Sequence, residues 1–83
     1  MATRFKSYKE FLNAISRGAD IEFKYKNKFY AVTITNVGIV ASEQYNENSE
    51  KIYNDPIEVG NYWVYDDYLK NIILDVEILF RSL

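Results

Sequence analysis

Carboxylates, lysines and tyrosines are the side chains available for chemistry in this chain, because it contains neither His nor Cys. That removes Ser-His and Cys-His nucleophile pairs, histidine general-base chemistry and the usual zinc sites. The two adjacent acids Asp66-Asp67 lie inside Tyr62-Trp63-Val64-Tyr65-Asp66-Asp67-Tyr68, where four aromatic rings accompany them within seven residues. Such a pair can act as acid and base, but just before an apolar periodic segment it better suits helix capping, since free first-turn amides favour negative charge. The rings suit contact: Tyr and Trp offer large area, few rotors and a polar tip, the composition of interface hot spots. Tyr62, Tyr65, Asp66 and Tyr68 are therefore the first candidates for a protein-binding surface, with Trp63 and one tyrosine expected to plug a helix–sheet junction.

A second candidate is acidic. Glu43, Glu47, Glu50, Asp55 and Glu58 run through residues 43 to 58 with Tyr45 and Tyr53 among them. Spaced carboxylates on a rigid domain can occupy Arg/Lys sites that normally hold phosphates, so Glu43, Glu47 and Glu50 join the protein-binding set; the plainer use of the run is a solvated loop and strand face. No metal is expected, since Asn46-Glu47-Asn48 lacks the D-x-[DN]-x-[DN]-G calcium loop. Gly18, Gly38 and Gly60 are isolated and form no phosphate-cradling string, and no cofactor is expected. Lys24, Lys26 and Lys28 beside Tyr25 and Phe29 resemble a stacking nucleic-acid face. Strand alternation turns Lys24 away from Phe23 and Tyr25, and a Lys-rich hairpin also guards sheet edges, so nucleic-acid binding is not expected.

The net charge of −2 hides an asymmetry: residues 1–29 carry seven Lys/Arg against three acids, and residues 30–83 three against nine. Such a chain can steer toward a charged partner unless the fold interleaves its halves. At 83 residues it reads as one compact domain, 1–83, since domains take roughly 100 to 200 residues. With 48% hydrophobic and 17% aromatic residues it should fold, aromatic bulk standing in for absent disulfides. Met1 to Lys6 leads into an amphipathic segment rather than a signal peptide, and no apolar run approaches bilayer length. The expectation is a cytoplasmic protein that does not engage membrane.

The elements that must hold these residues read as α+β. Ser7-Tyr8-Lys9-Glu10 has the capping-box form, so a helix starts at Tyr8, with Tyr8, Phe11, Leu12 and Ile15 as its apolar stripe and Gly18 as its stop. Asp20–Tyr25 alternates, placing Ile21, Phe23 and Tyr25 on one face. After the turn Lys26-Asn27-Lys28, alternation resumes with Tyr30, Val32 and Ile34 inward. Asn36-Val37-Gly38 is the next turn, Ile39 to Gln44 a third strand, Asn46 to Ser49 a polar loop and Lys51 to Tyr53 a short fourth strand. The sheet is thus an antiparallel meander of three or four strands. Asp55-Pro56 begins a single helical turn ended by Gly60, and Tyr62–Tyr65 is extended or irregular. Asp66 or Asp67 then caps a long C-terminal helix that lays Leu69, Ile72, Ile73, Val76, Phe80 and Leu83 on the sheet.

On that helix Leu74 and Ile78 point away from the sheet as i, i+4 neighbours, a patch suited to a homodimer interface. Isolated surface Leu and Ile are also ordinary.

The order Ser7-Tyr8-Lys9-Glu10-Phe11-Leu12, Gly18, Ile21-Glu22-Phe23-Lys24-Tyr25, Lys28-Phe29-Tyr30-Ala31-Val32 and Asp55-Pro56 resembles small proteins of Gram-positive bacteria and their phages. The resemblance spans most of the chain, rests on structural residues, and implies a cytosolic α+β protein with no particular reaction. In size and Tyr-rich character the chain also resembles phage-encoded anti-CRISPR and other anti-defence inhibitors, though it is less acidic than the nucleic-acid mimics among them. The expected function is a non-enzymatic protein-binding module, an inhibitor of a host defence nuclease complex carried by a phage or mobile element. The alternatives are a structural or interaction protein, or an oligomeric nucleotide or small-ligand sponge using Lys24, Lys28 or Arg17 for phosphate. A carboxylate-dependent hydrolase built on Asp66 is the remaining, disfavoured reading.

Overall fold

The computed structural model describes residues 3–82. Helix α1 (Tyr8–Ser16) starts as the sequence predicts: the Ser7 hydroxyl accepts from the Glu10 amide at 3.1 Å. The Glu10 carboxylate reaches back one residue further than a capping box requires, accepting from the Lys6 amide at 2.7 Å. Gly18, at φ +86°, reverses the chain as expected.

Three successive hairpins follow, β1 (Ile21–Tyr25), β2 (Lys28–Thr35), β3 (Gly38–Glu43) and β4 (Asn46–Tyr53), each joined by two residues. Lys26 and Asn27 both take positive φ, the geometry that matches the right-handed twist of the strands it connects. The fourth strand is longer than the expected Lys51–Tyr53, because Asn46–Ser49 continues the ladder around a turn at Gln44-Tyr45 rather than looping out. Ser49 braces the irregular register there, its hydroxyl accepting from the Glu43 amide at 2.8 Å and donating to the Asn46 carbonyl at 2.6 Å. Asp55 caps the single turn α2 (Pro56–Val59), accepting from the Ile57 amide at 2.9 Å.

The long C-terminal helix does not form. A two-stranded ribbon, β5 (Trp63–Val64) and β6 (Asp67–Tyr68), leads into one turn, α3 (Leu69–Ile72), and the chain ends in strand β7 (Glu77–Arg81). Leu69, Ile72, Ile73 and Val76 are buried as their spacing requires, so the apolar pattern identified the inward residues but not the element beyond Ile72. Beyond Val76 the competing demand is the free edge of β1, whose backbone groups need partners. Glu77-Ile78-Leu79-Phe80-Arg81 satisfies them by antiparallel pairing, giving the five-stranded order β4-β3-β2-β1-β7. The predicted α+β class and antiparallel meander hold, but the sheet has five strands instead of the expected three or four, because the terminal packing helix is replaced by a strand. Phe80 is half exposed on that strand rather than on a buried helix stripe, and Leu83 lies outside the described residues.

One sheet face carries the core. Ile21, Phe23, Tyr30, Val32, Ile39 and Ala41 pack there against Phe11, Ala14 and Ile15 of α1 and against Val59, Val64, Leu69, Ile73 and Val76. Phe23 and Tyr30, cross-strand partners, stack with ring centroids 5.3 Å apart. Among the described residues no helix is long and apolar enough to cross a membrane.

Candidate functional site: an aromatic cleft at the end of the sheet

The core face of the sheet is longer than the layer that covers it. On that face Lys28 lies two residues before Tyr30, Glu43 two after Ala41, and Lys51 opposite Ala41 across the β3–β4 ladder. Strand parity thus puts two lysines and a glutamate on the inward face, where helical cover runs out. The uncovered end is a cleft of about 520 Å³, with Lys28, Tyr30, Glu43, Ser49, Lys51 and Tyr53 from the sheet and Asn61, Tyr62, Trp63 and Tyr65 from the segment opposite.

That segment is a closed ribbon. The Leu69 amide donates to the Tyr62 carbonyl at 2.8 Å, the Lys70 amide donates to the Gly60 carbonyl at 2.9 Å, and Trp63 pairs with Tyr68. Gly60 stands at its base, where a Cβ would crowd the Tyr8 hydroxyl and the Lys70 Cβ. Tyr65, at φ +61°, forms the tip with Asp66. The tip is fastened to the β1–β2 turn by the Lys26–Asp66 ion pair, with the Lys26 ammonium 5.4 Å from the Tyr25 ring centre and 5.5 Å from that of Tyr65.

Inside the cleft, Lys28 and Glu43 pair at 3.3 Å. The Tyr62 hydroxyl donates to the Ser49 carbonyl at 3.0 Å, and burial raises its pKa. Tyr30 is 3% exposed and its hydroxyl has no hydrogen-bond partner among the described residues. Burial, reinforced by the negative charge of Glu43, pushes its pKa up to about 12. Near neutral pH Tyr30 therefore keeps its proton and can donate. Glu43 is the one carboxylate among the cleft's described residues.

The expected site residues divide. Tyr62, Tyr65 and Glu43 meet at the cleft. Tyr68 is not among the cleft's lining residues; it is the cross-strand partner of Trp63, its ring edge-on to the indole at 5.1 Å. Trp63 is not the core plug the sequence suggested: it is 55% exposed, and Tyr62 fills that role at 4%. Neither Asp66 nor Asp67 caps a helix through a backbone amide of its first turn; α3 has no side-chain cap. Asp66 fastens the ribbon tip, and Asp67 accepts from the Tyr68 amide at 2.7 Å and from the Asn71 side-chain amide at 2.9 Å. Those bonds hold its carboxyl below the usual range, the Asn71 bond contributing most. Glu47 and Glu50 border a separate shallow depression at the β3–β4 turn, shared with Glu43, and no group of three metal-capable side chains forms among the described residues.

The proposed dimer patch dissolves with its helix. Leu74 lies exposed in the turn after α3, whereas Ile78 lies in β7 and packs against the core. Of the phosphate candidates, Lys28 borders the cleft, but Lys24 lies 5.9 Å from the Phe29 ring centre and Arg17 closes α1. Sequence reasoning missed Tyr30, Lys51 and Asn61. The signal for the first two was present: Tyr30 shares its parity with Val32 on β2 and Lys51 shares its parity with Tyr53 on β4, but parity alone does not show where cover stops. Comparison of the chain with protein-family models, curated proteins and solved structures gave no match.

Proposed function

We propose that this chain is a non-enzymatic binding module that engages a host protein through the ribbon at the lip of the cleft, in the manner of a phage or mobile-element inhibitor. The observation that carries this reading is the exposure of Trp63, Tyr65 and Tyr68 together on one short ribbon whose tip is fastened to the sheet. Rings held in place lose little conformational freedom on binding, which favours them as contact anchors. The test is affinity capture from lysate of the bacterial host. A stoichiometric partner retained by wild type and by Lys9→Ala, but lost by Trp63→Ala with Tyr68→Ala, supports the reading. Capture that survives the double substitution, or no partner at all, counts against it.

A second reading, a small-ligand holder, is favoured by the cleft itself. Its volume of about 520 Å³ falls among ligand pockets, and its aromatic walls carry two lysines, a glutamate, a serine and an asparagine.

A further inference from the structure

We infer that the cleft between the sheet and the ribbon is a binding site for a nucleotide: a planar heteroaromatic ring carrying a phosphate. This rests on the small-ligand reading and names the class of ligand. The Tyr30 hydroxyl is the independent pointer, a donor that is 3% exposed and has no partner in a fold that otherwise leaves no other such buried side-chain group among its described residues. An orphaned buried donor is destabilising in the free protein and is relieved by an acceptor, such as a ring nitrogen or carbonyl, brought in by a ligand.

Three further features select the class. Trp63 and Tyr65 border the cleft with half-exposed rings, and a nucleobase stacks on such faces whatever its identity. Lys51 and Lys28 supply two ammonium groups at the same cleft against the single charge of Glu43, which favours an anionic ligand over a neutral one. Glu43, held beside Lys28 at 3.3 Å, offers a carboxylate to the N–H groups that nucleobases present and simple aromatic acids lack.

Trp63 is the sole tryptophan, so its fluorescence reports directly on the cleft. Titration of the full chain with adenosine and guanosine monophosphates should quench it saturably, with adenosine and inorganic phosphate alone each binding at least about tenfold more weakly. Tyr30→Phe should weaken the nucleotide about five- to tenfold without lowering Tm, and Lys51→Met about tenfold, while Lys9→Ala changes nothing. Adenosine binding as tightly as its monophosphate would overturn the phosphate assignment. Affinity that rises with the length of a single-stranded oligonucleotide would overturn a free nucleotide in favour of a strand. If nucleotides leave Trp63 unchanged while native mass spectrometry of freshly purified protein shows another bound compound, the nucleotide fails and the small-ligand reading stands. If neither is seen, both fall.

Discussion

Tyr30 is where single-residue chemistry and the proposed binding cleft meet. Its hydroxyl is buried beside Glu43 without a partner, so removing it takes away an unsatisfied polar group rather than a bond. Tyr30→Phe is expected to leave stability unchanged or raise it by up to about 1 kcal/mol, read from urea unfolding; a loss of about 2 kcal/mol would mean the hydroxyl is bonded in the folded state. The same residue sets an alkaline limit. Its folded-state pKa of about 12 lies above the ordinary tyrosine value of 10, so the unfolded chain releases this proton first. The stability it contributes is complete below pH 10 and falls as pH rises through about 12. Absorbance titration at alkaline pH should show a late-titrating tyrosine that Tyr30→Phe abolishes. Tyr30 could be read from the sequence as an inward strand residue. That its ring ends at a cleft could not, because this depends on where the ribbon of residues 60–70 stops.

At the scale of the element, the caps at Ser7 and Asp55 and the first two hairpin turns behaved as local chemistry dictates, and the terminal segment did not. Gly38 shows the first. At φ +135° it sits where a Cβ would approach the Tyr53 carbonyl to 2.7 Å, so Gly38→Ala should lower stability by more than about 1 kcal/mol in chemical denaturation, and a neutral effect would contradict this backbone path. Residues 69–83 show the second. A 3,4 spacing through Val76 agrees equally with a long helix and with a short turn followed by a strand, since both bury Leu69, Ile72, Ile73 and Val76. The two differ sharply at Ile78, which a helix would leave beside Leu74. On a helix both would face outward; here Ile78 packs against the core. Ile78→Lys is therefore expected to destabilise the fold by about 1 to 3 kcal/mol, whereas Leu74→Glu stays within about 0.5 kcal/mol. Equal, small effects from both in thermal unfolding would restore the helix.

Considered whole, the molecule is closed by its ends. Strand β7 pairs with β1, the Ser82 amide donates to the Asp20 carbonyl at 3.0 Å, and the Ile78 amide donates to the Thr3 carbonyl at 2.6 Å. Among the described residues, the ion pairs Lys26–Asp66, Lys28–Glu43 and Arg81–Glu10 each join the basic first 29 residues to the acidic remainder. The charge asymmetry along the chain is in this way partly interleaved in space. Because β7 both covers the β1 edge and contributes Ile78 to the core, a chain ending at Val76 should lose cooperative unfolding by circular dichroism. A sigmoidal transition retained in that truncation would show β7 to be dispensable.

Local chemistry settled what can be settled within a few residues: the cap at Ser7, the reversal at Gly18, the hairpin parities, the Asp55 start of α2 and the burial of Phe11, Ile15, Ile21, Phe23, Val32, Leu69, Ile72, Ile73 and Val76, though not of Ile34, Trp63 or Phe80, which are exposed. Absence of His and Cys settled in advance only that neither could line the cleft. Tertiary structure alone decided that the last residues form a strand, that Tyr62 rather than Trp63 is buried, and that Asp66 fastens a ribbon instead of capping a helix. Each of these turns on a contact between residues far apart in the chain, above all the unpaired edge of β1 and the place where cover over the sheet ends, and neither has a signature within any one segment.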